Sequence, residues 1–418
     1  MQRRWRVPPP PEWGFEAPDG AAVLDENVAG LGVLLWDVTR DVVLWATASP
    51  RELTEIFPPA QERMRTAWLM TTMLDPKLES ALLGLVRIPG PPSLASRERT
   101  SLACHSIAQW ADERGAVATA YAFMHAAAFT CPGNARLSYE AGRLARRRAE
   151  YARAEDWLKR AVLLGRQVGD WDSCINGRGG LGNMYIQRGN YPRAERHHRR
   201  ALVLARRQGL RDLEGQALHS LCVVAIHTGQ ISEVNRWARQ AREVFGPGDA
   251  RLPILAHDVG CAWMEQGLFP QALQVFEATR RHWRPADVLL GHANICRAAA
   301  GTGVLERYEQ AWLEASSLIT DETHENTAQA LLDLAHAAIT VGELERAEMV
   351  AQRACRVAAE RRESRIRLAA EAVLEFIGRD RSAIHRLITR LEPDVVEDTN
   401  AIAEDFADCL GSCAGAGV

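Results

Sequence analysis

An all-α fold of stacked helical hairpins is predicted by three observations. The stretch Leu181–Ala201 reads as two short helices: Leu181, Gly182 and Tyr185 share one helical face, as do Tyr191, Ala194, His198 and Ala201. Gly189-Asn190 breaks the pattern between them and supplies a turn. The same pattern returns in phase through seven units between about Ser101 and Arg361, at intervals near 34 to 40 residues. One hairpin cannot bury its own apolar face, so the copies must stack, and the fold class is an α-solenoid.

The turns fall at Gly115, Gly189, Gly229, Gly267, Gly303 and Gly342, and Tyr151, Ala154 and Ala161 repeat Tyr191, Ala194 and Ala201. Gly182 and Ala194 are small where the two helices should cross. On these residues the sequence resembles the tetratricopeptide repeat. The longer units, closed by polar turns such as Val168-Gly169-Asp170 and Gln208-Gly209, resemble the 40-residue repeats of Pins/LGN-type polarity adaptors and of kinesin light chains. The resemblance implies a right-handed superhelix whose concave groove binds peptide segments of partner proteins. Similar repeats occur in bacterial peptide-sensing regulators, but no helix-turn-helix reader is found in this chain.

In chain order, residues 1–30 hold Pro8 to Pro11, Gly14, Pro18 and Gly20, which argue for an extended, proline-rich arm. Residues 31–93 form a region that covers the apolar end of the stack. Helices are expected there at about 61–74 and 76–87, with Asp75-Pro76 as an N-cap followed by proline. A β-hairpin through 33–36 and 42–45 competes with a helix, but the intervening residues lack a hairpin turn pair. Pro89 to Ser93 mark a linker, and 101–361 are the repeats. Helices at 366–377 and 383–391 cap the C-terminal side within 362–410, and 411–418 are a flexible tail.

The resemblance places the second, fifth, ninth, twelfth and thirteenth residues of each unit on the groove. These are Arg136, Tyr139, Arg143, Arg146 and Arg147 in the second unit, and Asn176, Gly179, Asn183, Ile186 and Gln187 in the third. Gln216, His219 and His227 follow in the fourth, and His257 in the fifth. Arginine forms bidentate bonds with carboxylates, and asparagine amides can hold a peptide backbone. Residues 134–211 carry 18 Lys and Arg against 7 Asp and Glu, although the whole chain has a net charge of only -3. The expected partner is therefore an acidic protein segment. A peptide-responsive regulator is the alternative.

Nucleic acid is disfavoured, because no zinc finger, recognition helix or stacking motif accompanies the arginines. The absence of a phosphate loop, HExxH or GxSxG argues against an enzyme, and no catalytic residue, metal or cofactor is expected. Cys409 and Cys413 are a close pair without neighbouring histidines, which is weak for zinc. Nine scattered cysteines fit a reducing compartment. No apolar run reaches the length of a membrane span or a signal segment, so the expectation is a cytoplasmic protein. Cys222 and Cys296 stand where Gly182 stands in its unit and are expected to be packing residues. The acidic segment 386–408 could compete for the basic groove or cap the final helix pair.

Overall fold

The computed structural model of the chain describes residues 7–11, 17–49, 52–53, 59–72, 74–86, 93–320, 326–361, 363–379 and 393–412. Among the described residues there are twenty α-helices and no strand. They fall into two compact units, residues 1–213 and 214–418.

The first unit begins with α1 (Ala17–Asp25), α2 (Ala29–Thr47), α3 (Pro59–Thr71) and α4 (Pro76–Val86). A single helix, α2, runs through both stretches of the rival β-hairpin, and Leu35, Val38, Val42 and Trp45 on one of its stripes are fully buried. Three hairpins come next: α5 (Leu94–Glu113) with α6 (Val117–Thr130), α7 (Ala135–Arg147) with α8 (Tyr151–Val168), and α9 (Trp171–Gln187) with α10 (Tyr191–Gln208). The first helices of successive hairpins, α7 and α9, pack on each other, and α8 packs against both.

Two expectations about this half are corrected. Residues 17–25 are not part of an extended arm but form α1, with Val23 buried. The residue after the helix anchors it: the Glu26 carboxylate accepts the backbone N–H groups of Ala118 and Thr119, each at 2.8 Å. These are unpaired donors at the start of α6, where a negative charge is favoured. Reading only proline and glycine missed that long-range cap. The polyproline segment is also held, because the buried Arg160 guanidinium donates to the carbonyls of Pro8 and Pro132. Second, the first repeat helix starts at Leu94 instead of Ser101. Ser93 caps it, accepting from Ser96 N–H at 3.2 Å, while the Ser96 hydroxyl accepts from Ser93 N–H at 2.8 Å. Most of the expected 89–93 linker lies outside the described residues.

The second unit continues through α11 (Arg211–His227) with α12 (Ile231–Phe245), α13 (Leu252–Glu265) with α14 (Phe269–Thr279), α15 (Val288–Thr302) with α16 (Leu305–Ser317), and α17 (Thr327–Val341) with α18 (Leu344–Glu360). α19 (Ser364–Arg379) packs on α18, as expected for 366–377. The helix expected at 383–391 lies outside the described residues. The acidic segment is corrected: residues 393–412 form α20 (Pro393–Ser412), which packs mainly on α14 and α12 and not on the final hairpin. Ile402, Ala403, Phe406 and Leu410 bury its apolar stripe. Its acids meet α12, with Arg239 on Asp398 and Arg242 on Asp405 at 2.9 Å. Asn235 links α12 to both neighbours, donating to Thr399 Oγ1 at 2.8 Å and accepting from Trp263 Nε1 at 2.9 Å. Gly411 and Ser412 belong to α20, and the rest of the expected tail at 411–418 lies outside the described residues.

One packing rule recurs. A small residue on the first helix faces a bulky one on the second: a Cβ on Gly142 would stand 2.7 Å from Leu158, on Gly182 2.3 Å from His198, and on Gly260 2.8 Å from Phe276. Where cysteine takes this place, it packs as expected. The Cys222 and Cys296 thiols are buried and lie 3.7 and 3.8 Å from the Val234 and Tyr308 carbonyls of the second helix. Burial pushes both thiols up from their ordinary pKa.

The hairpin turns share a left-handed residue, which is Gly115, Gly189, Gly229, Gly267, Gly303 or Gly342 in six of the seven. Asn190 completes one such turn by donating its N–H to Tyr185 O at 2.8 Å, and its side chain then caps α10 through Arg193 N–H at 3.2 Å. In the second repeat the position is Ala149, at φ 59°. A Cβ is disfavoured there by about 1–2 kcal/mol. Ala149→Gly should therefore stabilise the first unit by about 1 kcal/mol. Chemical denaturation would show it, and an unchanged or lowered midpoint would contradict the assignment.

Candidate functional site

The incompletely buried stripe on the first helices of the first unit coincides with the positions expected to line a groove. On α7, Tyr139, Arg143 and Arg146 are half-buried, and Arg136 and Arg147 are exposed. On α9, Asn176, Gly179, Asn183 and Ile186 are half-buried and Gln187 is exposed. Their neighbours at helical spacing, such as Leu137, Ala141 and Leu144 on α7 and Ile175 and Met184 on α9, are buried. Gly179 faces open space, with nothing within 4 Å of where a Cβ would stand, while Gly177, Gly180 and Gly182 all face packed side chains. Gln216 and His219 lie on α11, in the second unit.

The arginines are not a bare cationic ladder. Arg143 bonds Asp112 of α5 and Glu140 of its own helix, both at 2.8 Å, and Arg147 bonds the other oxygen of Asp112. Burial pushes the Asp112 carboxyl up, but the two guanidiniums overcome it and hold the pKa below the ordinary carboxylate range. Burial likewise opposes the charge of Arg143, yet Asp112 and Glu140 raise its pKa on balance. Arg146 differs. Its Nε finds no partner among the described residues, and burial, with the neighbouring Arg143 and Arg147 adding to it, lowers its pKa. Among the described residues Arg146 thus lacks the carboxylate partners that Arg143 and Arg147 have, and Tyr139 lies beside it.

Between α5 and α7 lies a cavity of about 370 Å³ lined by His105, Gln109, Asp112, Arg136, Glu140 and Arg143. Burial and then Arg136 lower the pKa of His105. Four of these residues, His105, Gln109, Asp112 and Glu140, were missed by sequence reasoning, although for three of them the signal was present. His105, Gln109 and Asp112 occupy in the first repeat the places that Tyr139, Arg143 and Arg146 occupy in the second, counted back 34 residues.

The second unit has its own polar stripe on first helices. His219 Nε2 stands 2.9 Å from Asp258 of α13, and Arg297 of α15 bonds Glu265 and Asp333, each at 2.8 Å. Burial pushes the Asp258 carboxyl up, but bonds from His219 and His257 prevail and hold it at about 2. Among the described residues no cluster of His, Cys, Asp and Glu has the arrangement of a metal site, and no helix is long and apolar enough to cross a membrane.

A family model for the tetratricopeptide repeat matches residues 178–207, which lie within α9 and α10. No curated protein sequence matches the chain. Among solved structures, kinesin light chain TPR-like repeats of Podosopora anserina are 15% identical, covering 44% of this chain and 95% of that one at a TM-score of 0.38. BtubC from P. vanneervenii is 15% identical, with coverage of 55% and 95% and a TM-score of 0.41. Aspartyl phosphate phosphatase F from Bacillus subtilis is 12% identical, with coverage of 86% and 96% and a TM-score of 0.43. Scores of this size carry no functional argument. The tetratricopeptide-repeat match is confined to the hairpin at 178–207, and among the described residues the chain is all-α, with successive helix pairs on either side of that hairpin.

Proposed function

We propose that the chain is a cytoplasmic protein-binding adaptor whose first unit captures an extended acidic segment of a partner protein. The observation that supports this reading is the packing of α7 on α9, with Arg136 and Arg146 on the incompletely buried stripe of α7 and the amides of Asn176, Asn183 and Gln187 on that of α9. A carboxylate side chain seated on Arg146 would supply the anion that this guanidinium lacks, and the amides of α9 would take the peptide backbone. Arg143 and Arg147 act differently from a simple ladder: through Asp112 they fix the wall of the seat. The reading therefore favours a segment with spaced acids over a dense polyanion, which Asp112 and Glu140 would repel.

The test is capture of partners from the native host, followed by binding of the captured segment to variants. Arg136→Ala with Arg146→Ala should weaken binding by about 1.5–3 kcal/mol per charged bond lost, roughly tenfold or more, with unchanged helical circular dichroism. Equal affinity in the double variant would sink the proposal. Equal binding of random oligonucleotides and of the segment would replace it with a nucleic-acid function.

A further inference from the structure

One cysteine of the second unit has the surroundings of an activated nucleophile. Cys104, Cys174, Cys222 and Cys296 are buried. Cys261 is half-buried on the inner stripe of α13, one turn after His257, and its sulfur lies 3.9 Å from each nitrogen of that ring. Asn294 of α15 stands 3.0 Å from His257 Nε2 and 3.9 Å from the sulfur. On the other side, Asp258 lies 3.8 Å from His257 Nδ1 and shares His219 of α11. Phe276 of α14 lies beside the ring, tilted by 55°, with centroids 5.8 Å apart. One turn further along, Glu265 and Arg297 compensate each other.

A thiol, an imidazole and an orienting amide at these separations form the arrangement that activates a sulfur nucleophile. A neighbouring imidazolium stabilises the thiolate, and Asp258 favours the imidazolium. The same coupling acts in reverse: the charge of Cys261 is the largest influence raising His257 well above its ordinary pKa, with burial opposing and Asp258 adding to it. His257 also lines a cavity of about 610 Å³, whose apolar walls include Leu252, Ile254, Trp283, Leu290 and Leu410. This cavity exists because the α14–α15 connection is two short 3₁₀ turns instead of a tight loop, and Trp283 between them folds back over Gly291, 2.4 Å from where a Cβ would be.

We propose that Cys261 is a reactive cysteine that is covalently modified by apolar electrophiles of the α,β-unsaturated carbonyl class. The Cys261 thiol gives its proton to His257 as the sulfur lone pair forms a bond to the β-carbon, the carbon–carbon π pair shifts into an enolate, and the α-carbon takes that proton back from His257. No leaving group and no oxidant are needed. The alkyl body of the electrophile lies in the cavity beside His257, and the resulting thioether adds bulk to the inner stripe of the second unit.

The full chain is treated with limiting trans-2-nonenal, and separately with acrylamide, at pH 7, and each cysteine is followed by peptide mass spectrometry. Cys261 should react about tenfold faster than the half-buried Cys131 and Cys355. Its preference for nonenal over acrylamide should exceed theirs and should shrink in Ile254→Asp. His257→Asn should slow Cys261 to the rate of Cys131, with the buried Cys104 and Cys222 still unlabelled as a check on folding. If that variant exposes Cys222, Asp258→Asn is used, and partial slowing is expected. Equal rates for Cys261 and Cys131, or a Cys261 rate unaffected by the folded variant used, would overturn the proposal.

Discussion

Gly182→Leu should destabilise the first unit by about 3 kcal/mol, at the upper end of what overpacking a core usually costs. Even the first added carbon would stand 2.3 Å from His198 Nε2, and the ring cannot retreat because His198 is fully buried. The comparison is internal. Gly179, three residues earlier on the same helix, faces open space. Gly179→Ala should therefore stabilise α9 by about 1 kcal/mol through helix propensity. Urea denaturation of the two variants should move in opposite directions. His198→Ala should recover much of the loss in Gly182→Leu, because the clash is with that ring. Equal effects at both glycines would remove the packing rule on which the hairpin register rests.

On a shift from pH 7 to pH 5 the two fully buried histidines of the same unit should together remove about 4 kcal/mol. His125 and His198 are buried, and desolvation, with smaller contributions from Arg153 and His197 respectively, holds each at about 3. An unfolded histidine titrates near 6.5, so between these values the unfolded chain binds protons that the folded chain excludes. The histidine contribution is thus intact above about pH 6.5 and is lost progressively as the pH falls toward 3. At pH 5 the loss is about 2 kcal/mol per ring. Neither nitrogen of His198 has a hydrogen-bond partner among the described residues. His198→Leu should therefore hold or raise stability at pH 7 and reduce the acid response by about 2 kcal/mol. Hydrogen exchange of α9 and α10 at the two pH values would report it, and an undiminished acid response in His198→Leu would contradict the account.

How much of this could be read from the chain alone depended on whether the determinants were local. The six turn glycines, the small residue opposite a bulky one, and the helical stripe of α2 are set within a few residues or one repeat, and periodicity finds them. Glu26 at the start of α6, Arg160 on Pro8, and α20 across α12 and α14 join residues far apart in sequence, and no period points to them. The polar stripe of α7 and α9 was intermediate. Its half-exposed positions followed from the repeat, but its ion pairs did not, because Asp112 comes from a helix whose corresponding positions were not counted. A tally of 18 cations against 7 anions describes a surface only if the anions are elsewhere, and here Asp112 and Glu140 sit among the arginines.

The docking of α20 changes what kind of folding problem the second unit is. In a plain repeat array each hairpin meets only its neighbours, so order can begin anywhere and spread. The Asn235–Thr399 and Gln271–Asn400 bonds span 164 and 129 residues. Such contacts must wait for a long loop to close, which slows folding and ties the fate of distant segments together. The hairpins α15–α16 and α17–α18 lie inside that loop in sequence. Removal of α20 would consequently strip α12 and α14, leave the final hairpin's own contacts in place, and turn one cooperative transition into a graded unravelling from the end.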